Sequence, residues 1–246
     1  MQIVASDLRS HESRAEPMPM GRPYFILETI RDNTRVPEHL VVLGAGSEGC
    51  AAAQAYRRLG AEVTLIAPGA ILPAEDPDLV ALIRCALLED GVEIIERSTV
   101  QRIEPWAGGI TVFTNRRAVL RAIVASDVLA TDGPSPSSAR RRAPRGANGN
   151  VMRVTRTDPI LAHAGMTQRE VRRFDDTLRV LRLAVDRDGG HALKLVGAAH
   201  GAILGVTIVG PQADQLLAPW ALAMDAGLTL DVIGALRHTE ISTSQH

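Results

Sequence analysis

The chain has 246 residues, which at about 150 per domain admits one large domain or two smaller ones. Lys plus Arg number 27 and Asp plus Glu 28, a net charge of −1, which argues against duplex nucleic acid or an anionic membrane surface as partner. Three Phe, two Trp and two Tyr are too few for a base- or sugar-stacking platform, and 46% apolar content is that of a globular chain.

Residues 1–22 read as a polar arm broken by Pro17 and Pro19. Met1 to Asp7 lacks a basic start followed by an apolar core, so no secretory signal is expected. No apolar run approaches the ~18 to 20 residues that span a bilayer. A soluble cytoplasmic protein is the expectation.

Leu40 to Leu43 is a short all-apolar run, the pattern of a strand buried on both faces. It leads into Gly44–Ala45–Gly46–Ser47–Glu48–Gly49, then a helical stretch from Cys50 to Leu59 ended by Gly60, then a second buried strand from Ala61 to Ala67. Together these make one βαβ unit with a right-handed crossover. Asp76 and Pro77 open a second helix, as cap and first helical residue, with Leu79, Val80, Ile83, Ala86 and Leu87 at helical spacing. Gly91 stops it and Val92 to Ile95 is a third strand. Runs near 98–104, 109–114 and 118–124 suggest an antiparallel meander, and 127–131 closes the domain.

Residues 134–150 are rich in Ser, Pro, Gly and Arg and read as a solvated linker. Beyond it the pattern predicts a helix near 167–174, strands near 177–185, 192–197 and 202–210, and helices near 212–227 and 230–237. The expected organisation is an arm (1–22), a Rossmann-like α/β domain with a meander (23–133), the linker, and a smaller α+β domain (151–246).

Gly44, Gly46 and Gly49 form G-x-G-x-x-G between a strand and a helix, where a dinucleotide fold uses it. The first glycine permits the turn, the second admits a pyrophosphate, and the third lets the helix pack closely. The second strand ends at Ile66–Ala67–Pro68, without the acid that takes ribose hydroxyls or an Arg for a 2′-phosphate, and Glu48 sits within the turn. Two readings stay open, retained NAD(P) binding and a vestigial site. Cys50 and Cys85 stand 35 positions apart in no paired motif. Cys50 is expected to be a small buried side chain, and Tyr56, Trp106 and Trp220 core or interface residues. His163, His191, His200 and His238 show no metal-ligand spacing, so no metal is expected. Lys194, the single lysine, reads as compositional bias.

At these residues the sequence resembles the pyridine nucleotide–disulfide oxidoreductases, flavoproteins of the lipoamide dehydrogenase and mercuric reductase type. Leu40 to Ile66 resembles the NAD(P) unit, Pro73–Ala74–Glu75–Asp76–Pro77 the segment opening its second helix, and Leu129 to Gly133 the turn that ends it. Thr157–Asp158–Pro159, Ala164 to Thr167, Lys194–Leu195–Val196 and Gly205 to Gly210 resemble the family's C-terminal interface domain. The family pattern also has a first flavin G-x-G-x-x-G, a redox C-x-x-x-x-C and a later G-D segment, and this sequence carries none of them. Gln245 stands where the family's terminal motif carries its acid, and Ala51 where it carries a Glu.

The resemblance therefore implies a scaffold without FAD. The favoured reading is non-redox chemistry on a small organic molecule, such as cyclisation or isomerisation, with His238 and Glu240 as acid–base or hydrogen-bonding groups. Alternatives are an NAD(P)H-binding subunit serving a separate flavoprotein, and a non-catalytic dimeric remnant or regulator. NADH is expected to bind more weakly than ~100 μM without the ribose acid. The resemblance also implies a homodimer through 151–246, with Leu216, Leu217, Trp220 and Leu222 available to the interface.

Overall fold

The computed structural model describes residues 3–4, 24–27, 29–30, 33–131, 152–184 and 192–232. The chain forms two compact units, Met1–Ala74 with Arg84–Arg142, and Glu75–Ile83 with Ala143–His246. The architecture is α/β, with one parallel and two antiparallel sheets.

The first unit holds strands β1 (Ile3–Val4), β2 (Tyr24–Ile26), β3 (His39–Leu43), β4 (Glu62–Ile66), β5 (Glu93–Ile95), β6 (Thr99–Trp106), β7 (Gly109–Arg116), β8 (Val119–Ala125) and β9 (Asp127–Ala130). Helix α1 (Ser47–Arg58) joins β3 to β4. The parallel sheet runs β2-β9-β3-β4-β5. Leu40 to Leu43 are buried because β3 lies inside this sheet, with α1 packed on β3 and β4. Val41, Leu43, Ile66 and Val128 share a core with Ile103, Ile110, Val112 and Ile123 from the inner face of the meander β6-β7-β8, to which β1 adds an edge strand. Each such buried Val, Leu or Ile contributes about 1.5–3 kcal/mol.

Helix α1 begins at Ser47, three residues ahead of the expected start, because Gly46 takes the N-cap position and the glycine turn runs straight into the first helical turn. Strand β2 falls where the pattern predicts no element. Helix α2 (Pro77–Glu89) starts and ends where Asp76, Pro77 and Gly91 place it. Its first residues, through Ile83, nevertheless belong to the second unit, whereas the sequence assigns them to the first. Within that unit Glu75, Asp76 and Asp78 bond to Arg153, Lys194 and Arg182.

The second unit is a five-stranded antiparallel sheet, β10-β11-β14-β13-β12. Its strands are β10 (Met152–Thr155), β11 (Ile160–Gly165), β12 (Arg179–Ala184), β13 (Ala192–Gly197) and β14 (Ile203–Gly210). Short helix α3 (Gln168–Val171) opens on a Thr167–Glu170 capping box, and α4 (Ala213–Asp225) follows β14. Strands β12, β13 and β14 match expectation, while β10 and β11 fall where the pattern predicts no strand. Ala162, Ala164, Leu193, Leu195, Val206 and Ile208 point to the α4 side, where Ala213, Leu217 and Met224 complete the core. Leu217 is thus sealed within its own unit by its 213/217/221/224 spacing and is not available to an interface, whereas Leu216 and Leu222 are exposed and Trp220 packs partly on the core.

Candidate functional site

The glycine turn stands at the carboxyl ends of β3 and β4. Gly44 has φ +102°, a conformation side chains avoid, and its N–H donates to the Ile66 carbonyl at 2.9 Å. Gly49 lies where a Cβ would overlap the Gly44 carbonyl oxygen and come within 2.9 Å of Thr131 Oγ1. No larger residue fits without moving backbone. Thr131, at the end of β9, shares its hydroxyl proton between the Leu43 and Gly44 carbonyls at 3.0 Å each. Leu72 N–H holds the Ala45 carbonyl at 2.8 Å. The first turn of α1 therefore rises directly from a braced loop, the arrangement that receives a pyrophosphate at a helix N-terminus.

The other end of such a ligand is less well provided. At the end of β4, Ala67 N–H donates to the Ile95 carbonyl and its own carbonyl takes the Ser98 N–H, so this backbone serves the sheet. Ile66, Ala67 and Pro68 supply no carboxylate for a ribose. One cationic residue does arrive by a route spacing does not reveal: Arg97 N–H donates to the Gly69 carbonyl at 3.0 Å, which brings exposed Arg97 beside the loop after β4. The residues thus fit a pyrophosphate and lack the acid that suits an unphosphorylated ribose, while the Arg97 backbone borders the loop at that end.

The two cysteines are not bonded to each other. Cys50 is fully buried on α1 with Sγ 3.5 Å from the Ala45 carbonyl, as expected of a packing residue, and Cys85 is exposed. Tyr56 donates its hydroxyl to the Ile30 carbonyl, and burial followed by the nearby Asp127 charge pushes its pKa above 10.0. Trp106 is exposed at the end of β6, its ring against Gly108, so it is no core residue. His238 and Glu240 lie outside the described residues, and so do His191 and Gln245. Among the described residues no three His, Cys, Asp or Glu side chains are grouped as a metal ion would require.

A second polar cluster lies in the second unit, on the sheet face opposite α4. Directly paired strand residues point the same way, and the register places Arg153, His163, Thr207, Lys194 and Arg182 in one row across all five strands. Above this row stand three acids from residues 75–78. Lys194 Nζ meets Asp78 Oδ1 at 2.7 Å and Asp76 Oδ2 at 3.1 Å; Arg153 Nε meets Glu75 Oε1 at 2.7 Å; Arg182 Nε meets Asp78 Oδ2 at 3.0 Å. Lys194 and Asp76 side chains are each only 2% exposed. Asp76 sits at the start of α2, but its carboxylate takes Lys194 and the Gln168 N–H at 3.3 Å. Lys194 is therefore a structural cation, where its rarity alone suggested composition.

Burial opposes ionisation of Asp78, but bonds from Lys194 and Arg182 outweigh it and hold its carboxyl below the usual range. His163 is enclosed in β11, with Nδ1 2.8 Å from Thr207 Oγ1 and Nε2 2.9 Å from the Gly165 carbonyl. A carbonyl only accepts, so Nε2 carries the proton and Nδ1 accepts from Thr207. Burial lowers its pKa below 6.5, with Glu75 opposing and Arg153 adding to the shift. His163 is a neutral structural residue, and every charge in the cluster has a partner.

Two sequence profiles match the chain. One, described as pyridine nucleotide-disulphide oxidoreductase, covers residues 39–116; the other, the dimerisation domain of the same family, covers 151–243. A dihydrolipoyl dehydrogenase of Thermus scotoductus is 27% identical over 307 aligned positions, covering 94% of this chain and 66% of the relative. A mercuric reductase of Streptomyces lividans is 22% identical, covering 90% and 61%. The chain thus spans less than two thirds of their length. The first alignment is longer than the 246-residue chain, so that relative carries segments inside the aligned span that this chain lacks. Among solved structures, an HOCl-induced flavoprotein disulfide reductase of Escherichia coli superposes with TM-score 0.70 at 21% identity, covering 90% of this chain and 66% of the other. A water-forming NADH oxidase of Lactobacillus brevis gives 0.67 at 14% identity, covering 85% and 64%. At these identities the likeness is one of fold.

Proposed function

We propose, starting from a chain that belongs to the pyridine nucleotide-disulphide oxidoreductase family, that it works without the family's flavin-to-disulfide electron path and acts non-redox on a small organic molecule. The observation that carries this reading is the cysteine chemistry. Two thiols are present in the chain, and one is sealed under α1 while the other stands exposed and unbonded. A flavin in this family hands electrons to a cysteine pair, and no such pair is available here. FAD is accordingly not part of the proposal. Holding a reactive conformer supplies up to about 7–11 kcal/mol in favourable cases, enough for a cyclisation or isomerisation. His238 and Glu240 are the proposed acid–base or hydrogen-bonding groups.

The test is optical. The purified chain is expected to be colourless, and a stoichiometric flavin band in the visible spectrum refutes the reading. The NADH dissociation constant is expected to exceed ~100 μM, since a missing ribose carboxylate costs a charge-assisted hydrogen bond.

A second reading, an NAD(P)H-binding subunit serving a separate flavoprotein, is favoured by the braced glycine turn and by Arg97 beside the end of β4. It predicts that NADPH binds more tightly than NADH and that Arg97→Ala removes the difference. Low-micromolar binding with hydride transfer to an added flavoprotein makes this the better account.

Homodimerisation is proposed from the dimerisation-domain match, with exposed Leu216 and Leu222 on α4 as apolar contacts. Light scattering after size exclusion is expected to give twice the 26.3 kDa chain mass; a monomer rules it out.

A further inference from the structure

The two faces of the second unit's sheet respond differently to water. The α4 face is lined by Ala, Leu, Ile and Val, whose exposure carries the full hydrophobic cost. The opposite face carries the row Arg153–His163–Thr207–Lys194–Arg182, whose groups exchange their present partners for water on exposure. No residue of 75–83 belongs to the α4 core. The described polar ties of Glu75, Asp76 and Asp78 run to three different strands and to the Gln168 N–H. Leu79, Val80 and Ile83 on the same segment are buried as well.

We propose that residues 75–83 are a strap that undocks from this cationic row as one piece while the α4 face stays folded, and that the docked strap is what hides the chain's only ε-amine. Such an opening is a local event below global unfolding, and its free energy is smaller because the apolar core is not exposed. Lys194 reports on it, since its Nζ is enclosed by Asp76 and Asp78 and reacts with an acylating reagent only once both have left.

The experiment uses the full chain at pH 8 with a water-soluble N-hydroxysuccinimide acetate, and follows Lys194 by peptide mass spectrometry against an unstructured lysine peptide. Native Lys194 is expected to react at least ~100-fold more slowly than the peptide. In urea its rate is expected to rise with less than about half the slope of global unfolding read by far-UV circular dichroism, since slope follows the surface exposed. Asp76→Asn with Asp78→Asn is expected to speed native labelling at least ~10-fold with the dichroism spectrum unchanged. A native rate equal to the peptide's overturns the proposal. So does a urea dependence that tracks global unfolding, or a folded double variant as protected as the parent. Should the double variant not fold, the urea slope of the unsubstituted chain decides.

Discussion

The glycine turn of the first unit and the ionic row of the second do comparable work by opposite means. The turn is held by backbone: Gly44 φ, the Gly44–Gly49 approach and the Thr131 hydroxyl set its shape within a few residues or across adjacent strands. The row is held by side chains far apart in sequence, with Asp78 and Lys194 separated by 116 positions. Backbone devices leave a local signature because only glycine satisfies them. Side-chain devices leave none, since any acid elsewhere in the chain is an eligible partner for Lys194.

The sharpest way to break this comparison is at Lys194. Lys194→Met leaves Asp76 buried without its cation and is expected to lower the stability of the second unit by about 3–5 kcal/mol, read by urea unfolding. A change below about 1 kcal/mol refutes the structural role. Gly49→Ala sets a methyl against the Gly44 carbonyl and is expected to cost about 2–3 kcal/mol in the first unit, as overpacking does. Neutrality there means the helix is free to retreat from the turn. Thr131→Val removes the hydroxyl shared by two carbonyls, for an expected loss of about 1 kcal/mol.

The smallest effect is that of pH. The folded pKa of His163 lies below 6.5, so its contribution is complete above the unfolded value and is lost as pH falls from there toward the folded one. Asp78, Glu93, Glu96 and Glu170, all held below their ordinary values, add a further loss as pH falls below about 4.5. Unfolding free energies measured from pH 7.5 to 4.5 should decline, and His163→Asn should flatten the upper part of that curve. A flat parent profile contradicts the assignment of His163 as neutral and enclosed.

Most of the first unit is legible because its strands are short apolar runs bounded by glycine and proline: His39–Leu43, Glu62–Ile66 and the helix stop at Gly91 stand close to where pattern places them. Strand β11 is not, because Ile160–Gly165 is buried on both faces and built from Ala, Leu and His, with little β-branching to mark it. A weaker signal for the row does exist. In β10, β12 and β13 one cation sits between apolar neighbours (Arg153, Arg182, Lys194), the alternation of a strand with one apolar face. That pattern locates three cations on a face; it does not say that Glu75, Asp76 and Asp78 cover them. At the candidate site, the turn is readable from Gly44, Gly46 and Gly49, whereas the place of Arg97 beside the loop after β4 depends on a backbone bond to Gly69 that no spacing reveals.

Strand β9 has a consequence for how the molecule is made. It lies between β2 and β3, yet follows both in the chain by about a hundred residues, Tyr24 pairing with Val128 and Leu40 with Asp127. During synthesis the two earlier strands emerge with the slot between them empty, and the parallel sheet cannot close until residues 127–130 leave the ribosome. A nascent chain halted before that point exposes two open strand edges, the kind of surface chaperones shield and aggregates recruit.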